Sequence, residues 1–423
     1  MHTLLKNLTR NKYIVGIIIL ASMLRFVGLG HPADYIFDEV YHAFTARQYL
    51  HHNVESWEWW TTPPEGVAYE WTHPPVAKYG MELGMLIFGE NSFGWRVGSA
   101  LFGIISILGL YLLVVSLTKN KSLALISAFL VSIEGTHIAQ SRIAMNDIYM
   151  LCFFIWSLYL AVKAHWKLSA IFFGLSLASK WSAIYGLLPL AFIYLNQYIV
   201  SSRAQSRDPS TPSTLLRTGT VGMTFKYILN AIRLLLITSA IYILTFAPFI
   251  LAGHTWVQWW ELHRQMWYYH THLVATHGYQ STPLQWLFDV RPVWYYVKYS
   301  DQYIENIYVI GNPLILWLGL VGLVIQLKKI LNFKYSFFLV LYLIFSLPWV
   351  FSPRIMFFYH YLASATFLCV ILAYWLVSFC KKSALFLLLL CFFSWILISP
   401  LLYGFPMPPQ YWHFFFQIFP NWR

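Results

Sequence analysis

Residues 13–29, YIVGIIILASMLRFVGL, follow Lys6, Arg10 and Lys12 and carry one charge, Arg25. A run of this kind reads as a helix crossing a hydrocarbon core about 30 Å thick. No small-residue cleavage site follows it, so it reads as a retained signal anchor. Comparable runs recur as far as Tyr403: Phe93–Leu117, Ser122–His137, Asp147–Val162, Leu168–Ser179, Ser182–Val200, Leu234–Leu251, Tyr308–Gln326, Tyr335–Val350, Tyr361–Phe379 and Ser383–Leu402. The expected fold is therefore all-α, a multi-pass membrane protein of eleven spans. The composition agrees, with 59% hydrophobic, 19% aromatic and 10% charged residues in 423, where soluble chains carry roughly 25% charged. Soluble, disordered and nucleic-acid-binding classes are excluded.

Charge tests the topology, because Lys and Arg accumulate in cytoplasmic loops. With the N-terminus inside, every second connection is basic: 17 of the 28 Lys and Arg fall there, and of the 16 acids only Asp208 does. The opposite face holds two long connections, residues 30–92 and 252–307, rich in Trp, Tyr, His and acids. Function is expected on that extracytoplasmic face. The chain divides into a module of residues 1–251 that includes the first outer loop, the second outer loop 252–307, and C-terminal helices over 308–423. The inner stretch 201–220, SSRAQSRDPSTPSTLLRTGT, reads as a flexible linker. Cys152, Cys369, Cys380 and Cys391 lie in or beside apolar runs and read as packing residues without disulfide or zinc spacing.

The first outer loop opens HPADYIFDEVYHAFTARQYL from His31, and the apolar positions after Glu39 suit a helix lying along the membrane surface. Asp38 and Glu39 then sit at a helix start, where capping explains them; a general base beside the membrane is the sharper reading. Adjacent helical residues point to different sides, so the two do not flank one bond, and a base here works alone. His42 shares a face with Asp38, but no third ligand presents itself, so neither metal nor cofactor is expected. His73-Pro74-Pro75 stiffens the chain before a helix that carries Lys78. With Arg96, Arg142 and Lys180 on the same side, Lys78 favours an anionic ligand such as a lipid phosphate. Arg25, inside the first span, must snorkel outward or pair with an acid. Arg142 and Asp147 read either as a salt-bridged turn or as a phosphate-binding arginine oriented by a carboxylate. The second outer loop contributes His270, His272, His277 and Arg291 among aromatics, and the stretch from Ser352 adds Arg354 and His360.

Five stretches carry a common signature: Phe37-Asp38-Glu39 after a span bearing Arg25; His73-Pro74-Pro75 with Lys78; Ser141-Arg142 through Asp147; Gly174 through Lys180-Trp181; and His270 to Tyr296, followed by Gly311-Asn312-Pro313 and Arg354 to Tyr361. Together they resemble the protein O-mannosyltransferase family, polyprenyl-phosphate-mannose-dependent glycosyltransferases of the GT-C type, in a bacterial-like form. The resemblance spans nearly the whole chain. It implies inverting transfer of mannose from a polyprenyl-phosphate-mannose donor to Ser or Thr hydroxyls of a polypeptide acceptor, outside the cell membrane, with Asp38 as base. Arg142, Lys180, Lys78 and His73 are then the candidates for the phosphate clamp, with Arg96 and Arg354 behind them. Arg25, Glu39, Asp147, Arg291 and His360 complete the expected binding set. The acceptor is expected from another source, such as the secretion machinery. Where many family members have an acid two residues before the histidine of the His-Pro-Pro motif, this chain has Trp71, with Glu70 one further back. The rival readings are a related GT-C enzyme moving another sugar from a polyprenyl phosphate to a lipid or glycan, and a membrane transporter. A transporter calls for ionisable residues along a midplane path, whereas here they gather at helix ends.

Overall fold

The computed structural model describes residues 12–206, 213–327 and 333–422. Helix α1 (Lys12–Phe26) leads to α2 (Glu39–Leu50), α3 (Val76–Phe88), α4 (Ser92–Thr118), α5 (Lys121–Ser132), α6 (Gly135–Gln140), α7 (Asp147–Val162) and α8 (Trp166–Leu177). Then come α9 (Leu187–Ser206), α10 (Ser213–Leu244), α11 (Ala247–Leu251), α12 (Trp256–His272) and α13 (Pro283–Leu287). A hairpin of β1 (Val293–Tyr299) and β2 (Ile304–Val309) precedes α14 (Pro313–Leu327), α15 (Phe333–Val350), α16 (Leu362–Leu376), α17 (Lys381–Tyr403) and α18 (Pro409–Ile418).

Helix α4 is the longest apolar element in the first half, started by Asn91, whose side chain accepts from the Gly94 N–H, and stopped by Lys119 in the left-handed region (φ 59°). It packs along α3, α5 and α7. Glycine brings these backbones together: a Cβ at Gly98 would lie 2.7 Å from the Gly80 carbonyl and 2.3 Å from the Tyr149 hydroxyl. Helix α8 lies against α7 and α10, while α16, buried along almost its whole length, packs on α5, α14 and α15. This arrangement brings the chain segments before α2, α3 and α7, after α8, and between α15 and α16 around one cavity.

Among the described residues, five helical stretches are long and apolar enough to cross a membrane by themselves: 92–118, 181–200, 227–244, 358–376 and 381–403. Several expected spans are broken. The run 122–137 splits because α5 ends at Ser132 and Glu134 starts α6 by accepting the Thr136 and His137 N–H groups. The run 234–251 divides at Leu244, and Pro248 starts the short α11. The run 308–326 begins later, at Pro313, because Tyr308 belongs to a strand. The expected all-α fold carries this one hairpin in its second long loop: β1 (VWYYVKY) is made of β-branched and aromatic residues around one lysine, and it pairs antiparallel with β2 through a bulge between Trp294 and Tyr296. The expected linker 201–220 is helical at both ends, to Ser206 and from Ser213; residues 207–212 lie outside the described residues, as do Lys6, Arg10, Lys328 and Lys329. Cys380 is exposed, whereas Cys152, Cys369 and Cys391 are buried.

Arg25 departs from both options read from sequence. It is fully buried and bonded to neutral acceptors: the carbonyls of Ala21, Ser132 and Val131, the Ser141 hydroxyl at 3.3 Å, and His137 Nδ1 at 2.8 Å. Carbonyls left over where α5 ends absorb the charge, so neither lipid headgroup nor carboxylate is required.

Candidate active site

Asp38 opens the site. Phe37 before it takes a positive φ of 47°, a conformation bulky residues rarely adopt, and its ring stacks on Tyr295 at 4.4 Å between centroids. The Asp38 side chain makes no capping bond to α2, so helix capping does not account for it. It lines a cavity of about 760 Å³ together with His73, Asn146, Asp147, Lys180, His270, Arg354 and His360. Burial pushes its carboxyl up to about 6, with Glu70 and Asp147 acting in the same direction and His42 and Lys180 against it.

Glu39 faces away from this chemistry. It is fully buried and takes a two-pronged bond from Arg96, with Nε and Nη2 each 2.7 Å from a carboxylate oxygen, while the Ile36 and Ala144 N–H groups also donate to it. The remaining Arg96 donors go to the carbonyls of Leu29, Pro32 and Asp34. The pair is a structural clamp that ties the segment between α1 and α2 to α4 and to the turn before α7, and neither member lines the cavity.

A second cluster surrounds Glu70. Its carboxylate receives Lys78 Nζ at 2.6 Å and His73 Nδ1 at 2.9 Å, and His42 Nδ1 stands 3.6 Å away. Burial pushes the Glu70 carboxyl up, but Lys78, His73 and His42 outweigh it and hold it well below the ordinary range. Lys78 also donates to the His73 and Pro74 carbonyls, so it braces the His-Pro-Pro turn from within. Burial holds His73 neutral against the pull of Glu70.

The cations that reach the cavity are Lys180 and Arg354. Lys180 Nζ donates at 2.8 Å to both oxygens of Asp147 and lies 5.6 Å from the centre of the Tyr359 ring. Arg354 donates through Nη1 to His270 Nδ1 and lies over Tyr269, and its buried Nε has no partner among the described residues. His270 turns its other nitrogen to the Thr72 carbonyl at 2.8 Å, and burial together with Arg354 lowers it to about 4. His360 Nδ1 meets the Phe357 carbonyl at 2.9 Å, at the start of the stretch that carries α16.

Arg142 and Arg291 lie elsewhere. Arg142 is not oriented by Asp147; it donates to the carbonyls of Arg25, Val27 and Gly28 at the end of α1 and stacks on Tyr403 at 4.5 Å. Arg291 fastens the Gly278 and Asn421 carbonyls. Both hold backbone carbonyls at helix ends and turns, which helical spacing does not reveal. Among the described residues no three His, Cys, Asp or Glu side chains gather as a metal site; His277 accepts from the Tyr279 N–H, away from His270. The reading from sequence did not single out Asn146 or Tyr359 in the cavity, or Glu70 as the hub beneath it. The acid three residues before His73 and eight before Lys78 was the available signal for Glu70.

A second, almost wholly apolar cavity of about 460 Å³ lies between α8, α9 and α10, and Thr238 lines both cavities.

Residues 72–228 match the family described as dolichyl-phosphate-mannose-protein mannosyltransferase, and residues 255–333 match the C-terminal four-transmembrane region of protein O-mannosyltransferase. The polyprenol-phosphate-mannose–protein mannosyltransferase of Mycolicibacterium smegmatis is 25% identical, over 96% of this chain and 91% of its own length. The fold is that of the Saccharomyces cerevisiae protein O-mannosyltransferase Pmt1-Pmt2 complex bound to the sugar donor, with a TM-score of 0.77 at 14% identity over 98% of this chain and 93% of that one. ArnT from Cupriavidus metallidurans shares it at a TM-score of 0.58 and 12% identity, over 90% of this chain and 62% of that one.

Proposed function

We propose that this chain, a member of the protein O-mannosyltransferase family, transfers mannose from a polyprenyl-phosphate-mannose donor to a Ser or Thr hydroxyl of a polypeptide, with inversion at the anomeric carbon. The observation that carries the reading is the cavity shared by the uncapped Asp38 carboxylate and the cations Lys180 and Arg354. The acceptor hydroxyl attacks the anomeric carbon as its bond to the phosphate oxygen breaks. The hydroxyl proton passes to Asp38, and the polyprenyl phosphate departs as an anion that needs no proton. A carboxyl at about 6 is a better base than an ordinary aspartate near ~3.9 and is still ionised at neutral pH.

Lys180 and Arg354 form the phosphate clamp, and Arg354 has donors to spare. His270 aims Arg354, and Asp147 holds Lys180 in place. The apolar cavity beside Thr238 suits the first isoprene units of a lipid donor. The basic connections support an inside N-terminus and an active site on the extracytoplasmic face. Acceptors emerging from the secretion machinery would meet the site there.

The test is transfer of radiolabelled mannose from polyprenyl-phosphate-mannose to a Ser/Thr-rich peptide by the purified chain. Labelled peptide is expected with the wild type and not with Asp38→Asn. No label with either protein removes the mannosyl donor or the peptide acceptor from the reading, and equal label with both removes Asp38 as base.

A further inference from the structure

We infer that Asn146 reads the hydroxyl pattern of the donor's sugar ring, its side-chain amide donating to one hydroxyl and accepting from the next. The inference rests on the transfer reaction proposed above and deepens it. Asn146 is 1% exposed and lines the cavity, yet neither Oδ1 nor Nδ2 has a partner among the described residues. It occupies the N-cap of α7, where an asparagine ordinarily accepts a hydrogen bond from the first turn of the helix. Here its backbone is already helical, with φ −77° and ψ −26°, and the capping bond is not made. A buried polar group left unpaired is costly, and local stability gives no reason to tolerate two on one side chain.

The chemistry of the two atoms narrows what they meet. A phosphate offers only acceptors and would strand Oδ1. Hexose hydroxyls each donate and accept, and a neighbouring pair satisfies both ends of one amide. Asn146 adjoins Asp147, which holds Lys180, and both charges act on Asp38. A sugar ring held between the phosphate clamp and the acceptor hydroxyl facing Asp38 sits in the cavity that this segment lines. The acceptor's own peptide group carries the same two valences, and the experiment separates the two sources.

The purified full chain is assayed with polyprenyl-phosphate-mannose and its monodeoxy analogues at C2, C3, C4 and C6, with one Ser/Thr-rich peptide as acceptor. The wild type is expected to penalise two of the deoxy donors by roughly ten- to hundredfold in kcat/KM, the range for losing one hydrogen bond to a buried partner. Asn146→Leu lowers kcat/KM for the parent donor and removes those two penalties while leaving the others. Asn146→Asp, which keeps the volume and the acceptor atom, removes one of the two and carries the test if the leucine variant does not fold. A deoxy profile identical in wild type and variants overturns the inference, and so does a change confined to the peptide KM. Wild-type protein that transfers no mannose from the parent donor removes the reaction itself, whereas normal transfer with an unaltered profile removes only the role of Asn146.

Discussion

Lys180 Nζ sits 2.8 Å from both carboxylate oxygens of Asp147, joining the start of α7 to the end of α8 at the edge of the cavity. The lysine interrupts an apolar stretch, and the aspartate 33 residues earlier compensates it. Each partner is largely buried, so removing one strands the other. Lys180→Met and Asp147→Leu are each expected to destabilise the protein by about 3–5 kcal/mol, whereas the double variant recovers most of that loss. If Lys180 also clamps phosphate, the double variant stays inactive despite its recovered stability. Thermal unfolding in detergent alongside mannose transfer checks both halves.

Asp38→Asn keeps shape and removes the proposed base, so turnover should fall by roughly 10²–10⁴-fold. Stability should move the other way. The native carboxyl ionises near 6 and the unfolded one near 3.8, so the wild type loses stability as pH rises through that interval and stays lower above it. An asparagine does not titrate, and above pH 6 the variant should melt at or above the wild-type temperature. A variant that melts lower would give Asp38 a structural role.

As the proposed base, the same carboxyl is expected to set the pH dependence of transfer. The active form is ionised, so kcat/KM is expected to rise tenfold per pH unit on the acid side and level off above about 6. His73 and His270 are held neutral by burial and add no second break near pH 7. A plateau reached only well above pH 7 would identify a different base.

Arg354→Gln should raise the donor KM by about tenfold or more, as expected for a charge-assisted hydrogen bond. His270→Ala, which leaves the charge but unfastens it from the Thr72 carbonyl, should give a smaller effect in the same direction. Donor titrations at saturating peptide read both, and an unchanged donor KM in Arg354→Gln would place the phosphate on Lys180 alone.

Glu39→Gln is predicted to act on folding. It leaves Arg96 charged and buried against an amide, a loss of about 3–5 kcal/mol for breaking a buried pair. Yield and melting temperature should drop, while the protein that does fold keeps a wild-type deoxy-donor profile and pH curve. A shifted pH curve in Glu39→Gln would bring this carboxylate into the chemistry.

The sequence by itself determined the membrane class, the predominantly helical fold and the segments that carry Asp38, His73, Asp147, Lys180 and Arg354. Hydrophobic length and charge alternation are one-dimensional properties, read without knowing which helix touches which. Division of labour among the charges is three-dimensional. Asp38 and Glu39 are neighbours in the chain, yet a turn of backbone sends one to the cavity and the other to Arg96. Arg25, Arg142 and Arg291 read as ligands of an anion, but each meets backbone carbonyls freed where helices and loops end. Those carbonyls are invisible in a list of side chains. The β-hairpin was likewise masked, because its aromatic run resembles an interfacial belt until β1 and β2 pair. Only the tertiary structure decided which charges are satisfied within the protein, because in a medium without water a buried group's role follows from the partners within hydrogen-bond reach.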